Sequence, residues 1–186
     1  MTLTATGTIP GYVTGTWTID PLHSEVGFSV RHMMVSKVRG KFTKFSGQIV
    51  TADDMLGSSV TAEIDLASIE TGAEQRDAHL RSPDFFDTAN HPAMTYRSTG
   101  IRAKGDGYVV DGELTLKGVT RNVSLDLEVN GFGPDAYGGT RAGFSATAEI
   151  NRQDFGVNWN AAMETGGVVV SDKVTIHLEI EAVLQA

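Results

Sequence analysis

Along much of the chain apolar and polar residues alternate one for one, the period of a strand with one buried and one wet face. The final segment is the clearest. In KVTIHLEIEAV, Val174, Ile176, Leu178 and Ile180 share one face, and Lys173, Thr175, His177 and Glu179 share the other. VSLDLEV repeats the pattern with Val123, Leu125, Leu127 and Val129, and RAGFSATAEI with Ala142, Phe144, Ala146, Ala148 and Ile150. YVVDGELTLKG brings Tyr108, Val110, Leu114 and Leu116 together, and SVTAEIDL brings Val60, Ala62, Ile64 and Leu66 together. With residues 16–20, 25–35, 38–50 and 93–102, about eight strands are predicted.

Alternation fails in two places. In SIETGAEQRDAHLRSPDFFDTANHP the run of Ala, Glu, Gln and Arg with Leu80 predicts a short helix over 73–81, ended by Pro83. NRQDFGVNWNAAMETGGVVVS reads as a long loop with about one helical turn, of the kind that is usually functional or mobile. Residues 131–140, GFGPDAYGGT, form a turn-rich hairpin connection. No internal repeat or interdomain linker interrupts the chain, so an N-terminal extension, 1–15, is followed by one domain, 16–186.

An antiparallel sheet of this size must protect its edges, as a sandwich or as a closed barrel. The long strands, and inward faces that mix Phe, Tyr and Met with Ala, Gly and Ser, favour an all-β, mainly antiparallel, extended eight-stranded barrel with the short helix between strands. At that size the interior either just fills or holds one small ligand.

Composition narrows the function classes. The 186 residues, 40% of them hydrophobic, suit one sizeable core. A formal net charge of −8 argues against a general nucleic-acid surface. There is no cysteine, hence no disulfide, thiol nucleophile or thiolate metal site. No apolar run is long enough to span a membrane, and the opening MTLTATGTIPGYVTGTW has neither a basic region nor an apolar core of a signal peptide. A cytoplasmic, unanchored protein is expected.

One stretch invites a catalytic reading. IDPLHSEVGF sets Asp20, His23, Ser24 and Glu25 close together, with a nucleophile in Ser24 and a base in His23 or His32. Yet neighbours in an extended strand point to opposite faces, which separates His23 from Ser24, and no G-x-S-x-G elbow is present. The stretch reads better as an Asp-Pro turn whose backbone His23 and Ser24 bond. His23, His32, His79 and His91 match no metal-ligand spacing, so no metal site is expected.

Residues 26–52 carry Arg31, Lys37, Arg39, Lys41 and Lys44 with no acid, in an otherwise acidic chain. Alternation turns Phe28, Val30, His32 and Met34 inward and Arg31 outward. Lys37, Arg39 and Lys41 share one face of the next strand, and Phe45 joins Phe42 only if a bulge intervenes near Thr43 and Lys44. The basic row is either a solvated strand face or a contact for an anionic lipid headgroup such as a prenyl diphosphate; both readings stand at this point.

Four blocks resemble successive motifs of the YceI-like family of lipid- and polyisoprenoid-binding proteins. They are WTIDPLHSEVGFSVRHMMVSKVRGKFTKFSGQI, SIETGAEQRDAHLRSPDFFDTANHPAMTYRS, GELTLKGVTRNVSL and INRQDFGV, covering the chain from about Trp17 onward. The resemblance implies a lipocalin-like barrel whose apolar interior holds a long isoprenoid or related lipid (isoprenoid quinone, prenyl phosphate or fatty acyl chain), without catalysis and with no cofactor required, as a carrier, store or sequestering protein. It also implies a homodimer in many members, and export to the periplasm by a leader that this opening lacks.

On that reading Phe28, Val30, His32, Met34, Phe42, Phe45, Ile64, Phe85, Phe86, Met94, Tyr96, Leu114, Phe144 and Trp159 are candidates to line the ligand cavity. His23, Arg39, Lys41, Arg76 and His79 are candidates for its headgroup or mouth. Arg76, Asp77 and His79 in the helix block would equally anchor the helix to the barrel. The competing classes are a small hydrolase or isomerase acting on an apolar substrate through His23 or His32, and a stress-response module with a filled core.

Overall fold

The computed structural model describes residues 9–161, 167 and 169–186. Eleven strands follow in chain order: β1 (Gly15–Ile19), β2 (Glu25–His32), β3 (Ser36–Phe42), β4 (Phe45–Thr51), β5 (Ser59–Asp65), β6 (Ile69–Glu70), then helix α1 (Glu74–Arg81), β7 (Ala93–Lys104), β8 (Gly107–Leu116), β9 (Val119–Pro134), β10 (Thr140–Asn151) and β11 (Val170–Leu184). All pairings are antiparallel, in the order β1-β4-β5-β7-β8-β9-β10-β11, and β1 pairs back onto β11. The result is a closed eight-stranded barrel.

The early strands are two-part. β1 and β2 run along the same partner, β11, with Trp17 opposite Leu184 and Glu25 opposite Glu179. The residues between them form the Asp20–Ser24 turn. In the next pair of strands, β3 lies beside β2 and β4 beside β1, so the predicted run 38–50 is broken at Thr43 and Lys44. This is the phase break required by Phe42 and Phe45: Phe42 is buried opposite Val26, and Phe45 faces inward opposite Ile64. A third two-part strand, β5 and β6, is bridged by a single 3-10 turn, Leu66–Ser68, capped by the Asp65 carboxylate.

The predicted run 25–35 ends early because the chain reverses at Met33 and Met34. Both have left-handed backbones, φ 52° and 61°, the twin positive φ values of a tight turn closed by the Val35 amide on the His32 carbonyl at 3.2 Å, in a three-residue connection between β2 and β3. Met34, placed inward by alternation, therefore stands 58% exposed on the turn. Alternation holds only while the strand does.

The helix matches its predicted span to one residue. Its job is local. α1 follows β6 and, with residues 82–92, fills one end of the barrel, where Leu80, Phe85 and Phe86 pack on Phe42, Leu66 and Ile69. A second core cluster, around Trp17, Phe144 and Ala182, sits where β1, β10 and β11 meet, and Trp17 there is fully buried. The loop after β10 begins with the single helical turn Arg152–Phe155 expected from NRQDF, and part of its remainder, 162–166 and 168, lies outside the described residues, as do residues 1–8 of the predicted extension.

Candidate functional site

The barrel encloses an apolar chamber. Its wall is built by the inward faces of the alternating strands: Ile49 on β4, Val60, Ala62 and Ile64 on β5, Met94, Tyr96 and Ile101 on β7, Val110 and Leu114 on β8, Val123, Leu125 and Leu127 on β9, Phe144 and Ala146 on β10, and Ile176, Leu178 and Ile180 on β11. One end reaches half-buried Ser58 and exposed Ser59 beside Tyr12, Met55 and Phe132. Among the described residues no Asp, Glu, His, Lys or Arg lines it.

The polar groups in the wall are spent on the barrel itself. Tyr96 donates its hydroxyl to the Val123 carbonyl at 2.9 Å, and burial pushes the phenol's pKa well up, so it stays neutral. Its ring lies against Gly112 of the facing strand, where a Cβ would meet the ring at 2.4 Å. Thr51 accepts from the Trp17 indole at 2.9 Å and donates to the Val13 carbonyl at 2.8 Å. The Tyr12 hydroxyl donates to the Ala52 carbonyl. Among the described residues no buried side-chain polar atom lacks a partner. A general base needs hydrogen-bond reach of its substrate, and among the described residues no carboxylate, imidazole or amine offers it inside this chamber.

Of the sequence candidates, Phe45, Ile64, Met94, Tyr96, Leu114 and Phe144 line the chamber. Phe28, Phe42, Phe85, Phe86 and Trp159 lie outside that wall, in the aromatic pack at the α1 end. There Phe28 and Phe42 are 5.8 Å apart, Phe42 and Phe86 6.1 Å, and Phe85 and Trp159 5.3 Å. Val30 and His32 are half-buried near the end of β2. Size drew attention to the rings, whereas the aliphatic and small members of the same strand faces make most of the wall. Their signal was present in the alternation, since Val60, Ala62, Val110, Val123, Leu125, Leu127, Ala146, Ile176, Leu178 and Ile180 share parity with residues already read as inward. Tyr12, in the stretch read as an extension, had no such signal.

The polar candidates scatter. His23 bonds Asp20 at 2.7 Å on the outside of the barrel, and Asp20 also receives Arg141 at 2.8 Å and the Leu22 amide at 3.0 Å. Arg141, with His23, holds the Asp20 carboxyl down at about 2, and Arg141 itself is pushed up by Asp20, Asp135 and Glu181. Ser24 turns the other way, accepting from the Glu181 amide at 3.0 Å and donating to its carbonyl at 3.2 Å. The apparent triad is an Asx turn stitched to β10 and β11.

Arg76 donates to the Thr71 hydroxyl at 2.8 Å and carbonyl at 2.7 Å, and buried Asp77 accepts from the Thr71 amide at 3.0 Å. His79 pairs with Asp84 at 2.8 Å and stacks edge-on to Phe85 and Trp159 at 5.1 and 4.8 Å. These contacts tie the helix down. Arg39 and Lys41 are exposed on the outer face of β3, and neither lines the chamber. Among the described residues no three His, Asp or Glu side chains converge as metal ligands.

One structural residue had no sequence signal. Arg152 is 4% exposed and donates to the carbonyls of Val157 and Trp159 at 2.8 Å, Ser171 at 2.9 Å and Val170 at 3.2 Å. Burial lowers its pKa, partly offset by Asp172 at 3.6 Å. It fastens both ends of the loop between β10 and β11.

A closed eight-stranded antiparallel barrel around an apolar chamber is lipocalin-like in outline. A YceI-like domain model matches residues 17–182, and the chain belongs to that family. It is 38% identical over 164 residues to a UPF0312 protein of Staphylococcus epidermidis, covering 87% of this chain and 94% of that one. It is also 41% identical over 135 residues to one from Photorhabdus laumondii, covering 72% and 70%.

Among solved structures, Burkholderia cenocepacia BcnA superposes with a TM-score of 0.76 at 27% identity, over 88% of this chain and 98% of that one. A polyisoprenoid-binding domain from Saccharophagus degradans superposes with a TM-score of 0.68 at 18% identity, over 93% and 100%, and shares the fold. No helix among the described residues is long and apolar enough to cross a membrane.

Proposed function

We propose that this chain binds a long apolar molecule, an isoprenoid or another long-chain lipid, noncovalently inside the barrel, and serves as its carrier, store or sequestering protein. The observation that carries the reading is the chamber itself, walled by aliphatic and aromatic side chains, with Thr51 and Tyr96 among its few polar members already bonded within the protein. Each CH₂ taken from water contributes about 0.8 kcal/mol, and several isoprene units are held with no strong polar contact. The absence of an acid or base in the wall opposes the hydrolase or isomerase reading. Membership of the YceI-like family, and the fold shared with a domain described as polyisoprenoid-binding, favour the lipid.

Native mass spectrometry of the purified protein, followed by solvent extraction, tests this. The expected result is a retained prenyl or acyl lipid, or uptake of added prenyl lipid by empty protein. A protein that is empty and ignores added prenyl lipids overturns it.

A further inference from the structure

The basic row of β3 does not serve the chamber. Lys37, Arg39 and Lys41 alternate along the outer face, Arg31 stands opposite Lys37 across the hairpin, and Lys44 follows at the bend. All five are exposed, and none joins an ion pair among the described residues. Glu70 lies opposite Lys41 and makes no ion pair among the described residues, and Glu149, which shares a surface groove with Arg31 and Lys37, is paired with Lys173 at 3.0 Å. Beyond this row the hairpin turn carries three consecutive apolar residues into solvent: Met33 at 41%, Met34 at 58% and Val35 at 84% exposure.

An apolar tip above a ring of cations is the composition of an interfacial membrane anchor. The apolar groups enter the headgroup boundary, and the cations meet anionic phosphates. Methionine, flexible and polarizable, suits a disordered interface better than a fixed protein surface. A second copy docking by the same patch would set five cations against five. We propose that the β2–β3 hairpin docks this barrel on an anionic lipid bilayer, independently of what the chamber holds.

Co-sedimentation with phosphatidylcholine vesicles, with and without phosphatidylglycerol, tests the proposal. The wild-type chain is expected to bind the anionic vesicles at least roughly tenfold more tightly than neutral ones. Raising salt from ~0.1 M to ~0.5 M should release it, because the shorter screening length weakens exposed charges. Two double variants, Lys37→Glu with Arg39→Glu and Met34→Asn with Val35→Ser, should each lose about tenfold or more in partitioning. Asn is chosen at 34 because it tolerates the left-handed backbone. Arg121→Glu, on exposed β9 far from the hairpin in sequence, should bind as wild type. All variants should retain added prenyl lipid as the parent does, which separates this proposal from the function of the chamber. Equal binding to neutral and anionic vesicles, no binding at low salt, or variants that bind like wild type would each overturn it. So would hairpin variants that change the oligomeric state in vesicle-free solution, because the patch would then be an interface between copies.

Discussion

Asp20 shows how a residue's chemistry is decided by its partners. Its carboxylate receives the Leu22 amide, His23 and Arg141, and its pKa is lowered from 3.8 to about 2. A carboxylate whose folded pKa is depressed adds stability above the unfolded pKa and loses it as pH falls through the folded value. Asp20 therefore stabilises the barrel fully above about pH 4 and loses that contribution between about pH 4 and 2, a contribution that solvent screening keeps small. Asp20→Asn should flatten that part of a stability-versus-pH curve measured by urea midpoints; an unchanged slope would show that the network is idle. At this scale the sequence was legible where backbone geometry ruled. Strand parity separated His23 from Ser24, and the Asp-Pro turn was visible. Parity gave no hint that Arg141, far along the chain, would complete the network.

Elements with one strong pattern were legible, and elements made of exceptions were not. Alternation located β5 and β8 to β11, and the run of helix formers located α1. Splitting β3 from β4 could be read from the parity of Phe42 and Phe45, because a period of two cannot place both rings inside without an extra residue. The loop after β10 was legible only as irregular. Its order depends on Arg152, whose role lies in backbone carbonyls supplied by residues on both sides of the loop. Arg152→Met should leave those acceptors short of a donor in a dry site and cost roughly 3 kcal/mol or more. Hydrogen exchange would show the change first at Val157–Trp159 and Val170–Ser171. A variant as stable and as protected as the parent would mean that the loop is held by its apolar contacts.

For the whole molecule, the barrel was legible from strand number and length, but the chamber was not, because whether an interior is filled depends on volumes and not on periodicity. Ala146 shows the difference: a small, buried residue on β10 faces the space that bulkier neighbours leave. Ala146→Phe should fill part of the chamber, reduce retained prenyl lipid several-fold, and leave the melting temperature unchanged or raised, since cavity filling commonly adds about 0.5–2 kcal/mol. Loss of stability with lipid retained would mean that this part of the wall is already tightly packed. The seam between β1 and β11 also fixes the order of events in folding. It joins the first strand to the last, with Trp17 buried at the join. A contact between such distant parts of a chain closes late and slowly, because the intervening loop entropy is lost first. Until β11 is made, β1, β2 and β10 each keep an unpaired edge, so a chain emerging from the ribosome carries sticky borders until its last barrel strand is complete.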